Sequence, residues 1–263
     1  MMNRPPRKTN SILRFTHLED ENSRNIMKRM AAALNELAGL EELGLFSRRL
    51  ALPLRARSLS IRILRLYDQY ILHAVTGMRK KGWLLSCGRS CSSCCFEMVA
   101  GVSQWELLLI YDQMKLVGQS SRLFKRHLEN CEVLSELQRE LQQAVRKGVE
   151  ADSDSEVELL LGAYRKQRRR CGFLTISGEC IIYPVRPLAC RMHFAFTPAA
   201  WCDPAHPKFG QAVRLNFHPH ARVYQAVEAV DCRLGLNLDE LLSPGLVAFA
   251  TNVMQFSPIS WAS

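Results

Sequence analysis

No stretch of this chain reaches the roughly 18 uninterrupted apolar residues that a membrane-spanning helix requires, so no span is expected. Residues 1–15 are basic and contain Pro5 and Pro6, but they lack the apolar centre of a secretory signal; a cytoplasmic location is the resulting expectation. A glycine-rich phosphate loop, a serine nucleophile elbow and a pair of carboxylates are all missing. Nothing in the chain therefore argues for loop-bound nucleotide chemistry, serine-nucleophile hydrolysis or two-carboxylate catalysis. Internal repeats are absent, and beyond the basic start so are low-complexity tracts.

What is present begins with an ordinary core-forming composition. At 263 residues and 48% hydrophobic content the chain can build one large domain or two small ones. Its formal charge of +10 makes the surface attractive to nucleic acid, anionic membrane or acidic protein, which speaks to association and not to chemistry. The basic runs Arg79 to Lys81 and Arg165 to Arg170 read as helix ends, where cations suit the negative pole, rather than as nucleic-acid contacts.

Periodicity predicts helices over most of the chain. Ile26, Met30, Ala33, Leu34 and Leu37 recur at helical spacing before a stop at Gly39, and a shorter helix is expected over 40–53. A third, capped by Ser58, uses Ile61, Leu64, Leu72 and Val75 as its apolar positions and stops at Gly82. Ser103 and Glu106 form a capping-box pattern for a helix to about Val117. A long amphipathic helix over 121–147 carries Leu123, Leu128, Leu134, Leu137, Leu141 and Val145, and after an acidic linker over 148–155 another helix ends at the arginine run. The period then changes: 173–176 and 180–183 are β-rich runs around Ser177-Gly178-Glu179, which predicts a hairpin. Pro187 starts a turn or one helical turn, 192–219 reads as loop, and helices close the chain over 221–230 and 238–253.

The chemistry lies in ten cysteines. Cys87-Gly-Arg-Ser-Cys91-Ser-Ser-Cys94-Cys95 places four of them within nine residues. Disulfides need particular Cα separations and torsions, so thiols this crowded cannot all pair with one another; they can all point at one metal. Gly88 and the serines let the turn close, and Arg89 favours the thiolate, the form that ligates metal. Cys171 precedes the first β-run, Cys180 begins the second, Cys190 returns through the Pro187 turn, and Cys202 lies beyond. Folded over the first cluster, this hairpin would gather seven or eight sulfurs, enough for one four-sulfur site with spare thiols or for two sites. Zinc and an iron–sulfur cluster both remain open, with His193 as a substitute ligand. Cys131, isolated on an amphipathic helix, reads as a small buried hydrophobe, and Cys232 falls outside the motifs.

Three motifs follow one another: Cys87-x3-Cys91-x2-Cys94-Cys95 with Val102-Ser103-Gln104-Trp105-Glu106, then Cys171-Gly172-Phe173-Leu174, and then Gly178-Glu179-Cys180-Ile181-Ile182-Tyr183 with Arg186-Pro187-Leu188-Ala189-Cys190-Arg191. Together they resemble the YkgJ-type cysteine-cluster family, a zinc- or iron-chelating domain distantly related to flagellin lysine methylases. The resemblance covers about 87–111 and 171–202. It differs by one extra residue in the first spacing and by Gly172 where the family often has proline. It implies metal chelation by the matching cysteines, with Arg186 and Arg191 in supporting roles, and it fixes no reaction.

Competing readings are weaker. Cys87-x3-Cys91-x2-Cys94 has the spacing of a radical SAM cluster, but Ser93 stands where an aromatic is usual, and no strand–helix alternation follows. Cys91-Ser-Ser-Cys94 lacks the strand-then-helix setting of a disulfide oxidoreductase. A nucleic-acid-binding zinc module would need aromatics interleaved with its basic residues. The expected architecture is mainly α with a small β-hairpin cysteine-rich metal-binding module, an α+β arrangement. Residues 1–20 are expected as a disordered basic tail, 21–82 as N-terminal helices, 83–202 as the cysteine-cluster core with helices over 103–170 and the hairpin over 173–183, and 203–263 as a C-terminal loop and helices. The expected ligands are Cys87, Cys91, Cys94, Cys95, Cys171, Cys180, Cys190 and Cys202. The expected function is metal chelation, as zinc or an iron–sulfur cluster. The alternative is an iron–sulfur-dependent protein lysine N-methyltransferase of the flagellin methylase type. The partner classes left open are an unidentified protein and, from the charge, nucleic acid.

Overall fold

The computed structural model describes residues 12–15, 18–88, 91–146 and 153–262. Most of the expected basic tail, Arg89 and most of the expected acidic linker lie outside these residues. In chain order the elements are β1 (Ile12–Phe15), α1 (Glu21–Ala38), α2 (Phe46–Arg49), β2 (Ala51–Pro53), α3 (Leu54–Lys80), α4 (Gln104–Leu116) and α5 (Ser120–Arg146). They continue with α6 (Ser153–Lys166), α7 (Leu188–Arg191), β3 (His193–Ala195), β4 (Arg214–Phe217), α8 (Ala221–Leu234), α9 (Leu242–Ala248) and β5 (Ser260–Ala262). The chain is mainly helical with little β structure.

Local chemistry accounts for most of the boundaries. Asp20 caps α1 by accepting from the Ser23 amide at 2.9 Å, and Gly39 closes it by donating to the Asn35 carbonyl. The expected helix over 40–53 breaks up instead into a 3-10 turn (Glu41–Leu45), the single turn α2 and the strand β2. Leu50 takes a left-handed φ of 50°, which ends α2, and Pro53 cannot donate to a helical ladder. The third helix starts at Pro53, a turn before Ser58.

Its inward stripe also differs from the expected one. Leu72 is 68% exposed, while Tyr67 and Tyr70 are fully buried. The two rings fit inside because each hydroxyl finds an acceptor, Tyr67 at the Phe217 carbonyl (2.7 Å) and Tyr70 at the His218 carbonyl (3.1 Å).

Two small sheets were not expected. β4 pairs in parallel with β1 and antiparallel with β3, so that Leu215 faces both Leu13 and Phe194 in register. β2 pairs in parallel with β5, Leu52 opposite Trp261. The segment read as loop over 192–219 therefore carries two strands. The expected hairpin is reduced to one bridge, Leu174 to Cys180, closed by the Ile181 amide on the Phe173 carbonyl at 3.0 Å. Its second strand gives way to a 3-10 turn (Tyr183–Val185) because Pro184 cannot supply a ladder donor.

One hydrophobic core joins α1, α3, α4, α8 and α9, with α1 packed on α3 and α8. Each large apolar side chain taken out of water there stabilises by about 2 kcal/mol. A smaller cluster of Met98, Leu134 and Tyr164 joins α5 and α6 to the loop after the first cysteines. Cys171 and Cys180 pack against the main core, so the thiols sit on its edge.

Gly172 is the tightest point between these parts. A Cβ there would overlap the His127 ring, which is fully buried, hydrogen-bonded through Nδ1 to Ser243 Oγ at 2.9 Å and packed on Phe173. Burial pushes the His127 pKa down to about 3, so the ring is neutral. No residue with a Cβ, proline included, fits at 172. Gly172→Ala is expected to cost about 1–3 kcal/mol in urea unfolding, and adding His127→Ala to it should cost less than the sum of the two single losses. An unchanged midpoint in Gly172→Ala would contradict this packing.

Candidate metal centre

Three fixed points build the site. The first is Glu106, in the first turn of α4. One carboxylate oxygen accepts from the Ser103 amide (2.9 Å) and hydroxyl (2.7 Å), completing the capping box, and the other accepts from the Leu188 amide at 2.6 Å. One side chain thus caps α4 and fastens the start of α7. The second is Arg191, 3% exposed, which donates to both oxygens of Asp68 on α3 (2.5 and 2.6 Å) and to the carbonyls of Pro184 and Arg186 (both 2.8 Å). The third is backbone: the Cys171 amide donates to the Cys95 carbonyl at 2.7 Å, joining the two cysteine segments directly. β3 holds the front of the first segment, where Ser86 donates to the Ala195 carbonyl (2.9 Å) and the Ala195 amide donates to Cys87 Sγ (3.1 Å).

Between these points lies a cavity of about 460 Å³, lined by Cys91, Cys94, Cys95, Cys171, Cys180 and Cys190. Six of the eight sequence-predicted cysteines are therefore brought together from segments some 80 to 100 residues apart. Cys87 stands behind the lining, its thiol bonded to Cys91. Cys202, buried in a 3-10 turn (Ala199–Cys202), also lies outside the lining but close enough to feel Cys91 and Cys94. All ten cysteines are free thiols, and neither Cys131 nor Cys232 reaches the cavity.

Cys94 is the hub. A negative charge on its sulfur would be felt at Cys87, Cys171, Cys180, Cys190 and Cys202. The hydrogen bond with the Cys95 sulfur beside it raises the Cys94 pKa well above that of an ordinary thiol. Burial raises Cys171 to about 12 and also raises Cys180, Cys190 and Cys202. The positive charge of Arg186 works in the opposite direction on Cys180 and Cys190. Its guanidinium lies 4.3 Å from the centre of the Tyr183 ring. Cys91 is the exception. The hydrogen bond from Cys87, helped by Ser93 and the Gly88 backbone, lowers it to about 5, while the same bond raises Cys87.

Among the described residues no three His, Cys, Asp or Glu side chains share a point close enough to hold an ion as they stand. The donor chemistry nonetheless suits a soft metal, because the cavity offers thiols in number and positive charge to offset thiolates. His193 lines the cavity with Nδ1 2.5 Å from Asn216 Oδ1, and burial lowers its pKa, keeping the ring neutral. Glu97, Asn216, His218 and Tyr224, none of them singled out from the sequence, line the same space. The strands β3 and β4 carry His193 and Asn216, and no motif spacing marks them. Tyr183, expected on a strand face, is 55% exposed in its 3-10 turn and also lines the cavity. No family model, curated protein or solved structure matches the chain.

A chemical test follows from the thiol ladder. With metal removed, Cys91 is expected to be alkylated by iodoacetamide well before Cys94, Cys131 or Cys171 at pH 6–7, because only the thiolate reacts. Its rate should hold above pH 5 and fall as acid takes the thiol through its pKa of about 5. Peptide mass spectrometry after a short pulse reads the order. Equal labelling of Cys91 and Cys131 would contradict the Cys87 to Cys91 hydrogen bond.

Proposed function

We propose that this chain is a metal-chelating protein whose cysteine-lined cavity holds zinc or an iron–sulfur cluster. The observation that carries the reading is that Cys94, Cys171, Cys180 and Cys190 line one cavity. Each of the last three feels the Cys94 charge, and Cys190 feels the other two as well. These four sulfurs are the set that we assign to a single centre. Zinc held by them would be a closed structural site, whereas a cluster would supply one-electron chemistry. The motif resemblance to YkgJ-type cysteine-cluster proteins supports the same assignment.

The chain's own residues have definable tasks in this reading. Arg186 offsets the charge of the Cys180 and Cys190 thiolates, and Arg191 keeps the turn that carries Cys190 against α3. Cys171 and Cys95 are held side by side by the hydrogen bond between their backbones. Cys87, Cys91, Cys95 and Cys202 flank the four. Their number leaves room for a second centre or for exchange of ligands.

The reading is tested by metal content. Protein purified without oxygen should carry zinc, or iron with acid-labile sulfide, and Cys94→Ser and Cys180→Ser should each lose most of it. Cys131→Ser and Cys232→Ser should keep it. Because bound metal stabilises the folded state, a chelator should lower the thermal midpoint of the wild type and of Cys131→Ser, but not that of Cys94→Ser. Equal metal content in all four variants would overturn the ligand assignment.

A further inference from the structure

We propose that a second cavity, which shares Cys171 and Leu174 with the first, is a binding site for a small molecule carrying a diphosphate group. Its volume is about 380 Å³, and four arginines are among its lining residues, Arg126, Arg168, Arg169 and Arg170. Glu129 is the one carboxylate in the lining. A helix end accounts for cations within the last turn, but α6 stops at Lys166, so Arg168, Arg169 and Arg170 lie beyond it. The Arg170 carbonyl is held by Asn130 Nδ2 at 3.0 Å, which fixes the run against α5.

Existing partners leave positive charge over. Arg126 donates to the carbonyls of Gly172 (3.4 Å) and Leu174 (3.2 Å), which position it and neutralise nothing. Asp203 takes Arg168 in a two-pronged pair at 2.8 and 2.9 Å. Arg169 meets Glu129 at 3.6 Å, longer than a hydrogen bond, and its Nε is buried with no acceptor among the described residues. Arg170 has no side-chain partner among them. Two carboxylates thus face four arginines, and the surplus positive charge favours a diphosphate, which carries at least two negative charges at neutral pH and whose oxygens fit the guanidinium fork.

Size and shape point to a small molecule. The volume falls within the roughly 300–1,000 Å³ of small-molecule sites and exceeds what a single phosphate fills. A nucleic-acid strand calls for an extended basic track with several stacking aromatics, and Phe96 is the one aromatic in this lining.

The experiment is calorimetric titration of the full chain with inorganic pyrophosphate, and separately with inorganic phosphate, at physiological salt. Pyrophosphate is expected to bind saturably at one site and more tightly than phosphate. The double variant Arg169→Gln with Arg170→Gln should weaken it about tenfold or more, the loss of charged hydrogen bonds, while Arg79→Gln with Lys80→Gln on α3 should not change it. Arg170→Gln alone, an exposed substitution, should also weaken binding, and circular dichroism checks that each variant is folded. Folded Cys94→Ser should still bind pyrophosphate, which separates this site from the proposed metal centre. Absence of saturable binding, equal weakening by both double variants, or loss of binding in folded Cys94→Ser would overturn the proposal.

Discussion

Arg191 is buried to 3% exposure, yet its guanidinium spends four hydrogen bonds on groups from two distant parts of the chain, the Asp68 carboxylate on α3 and the carbonyls of Pro184 and Arg186. A buried cation without such partners would be strongly unfavourable, so the turn over 184–191 must stay closed around it and pressed to the helical body. Cys190 is the residue immediately before it, and Cys180 enters the same turn. Cys190 is therefore placed by an arginine that bonds to oxygens, and the same positive charge acts on Cys180. The other two are placed by other elements, Cys94 in a 3-10 turn (Ser93–Phe96) and Cys171 through its backbone hydrogen bond to Cys95.

The electrostatics of the cavity follow from that closure. Thiols crowded at a core edge resist ionisation, because burial and each other's charge both oppose it, and Cys171, Cys180 and Cys190 are all raised. A metal cation reverses this balance, since each thiolate then faces positive charge instead of another sulfur. Arg186 provides part of that compensation in advance. Cys91 needs less help, being already lowered by the Cys87 bond. The adjoining arginine cavity extends the contrast: sulfur on one side of Cys171, surplus guanidinium on the other.

What could be read in the sequence were features with a local cause. Ser103 and Glu106 cap a helix because their side chains reach each other's backbone within one turn, and Pro187 acts through its own geometry. The cysteine spacing was legible because few arrangements suit so many thiols in nine residues. Features set by partners far along the chain were not. β3 and β4 are three and four residues long, too short to show alternation, and they exist because β1 and each other complete their hydrogen bonds. Leu72 belongs to a plausible apolar face of α3, but the carbonyls waiting at Phe217 and His218 select the tyrosine face instead. The second task of Glu106, holding Leu188, has no local signal at all. Gly172 is a middle case: a glycine beside Cys171 is visible in the sequence, and its reason, the His127 ring, is visible only in three dimensions.

X-ray absorption at the zinc or iron edge of the purified protein reads the nature of any metal's ligands without reference to any variant. The proposed assignment of Cys94, Cys171, Cys180 and Cys190 to one centre predicts a first shell of four sulfurs at about 2.3 Å, with a further iron shell if the centre is a cluster. A first shell made only of nitrogen and oxygen would contradict it.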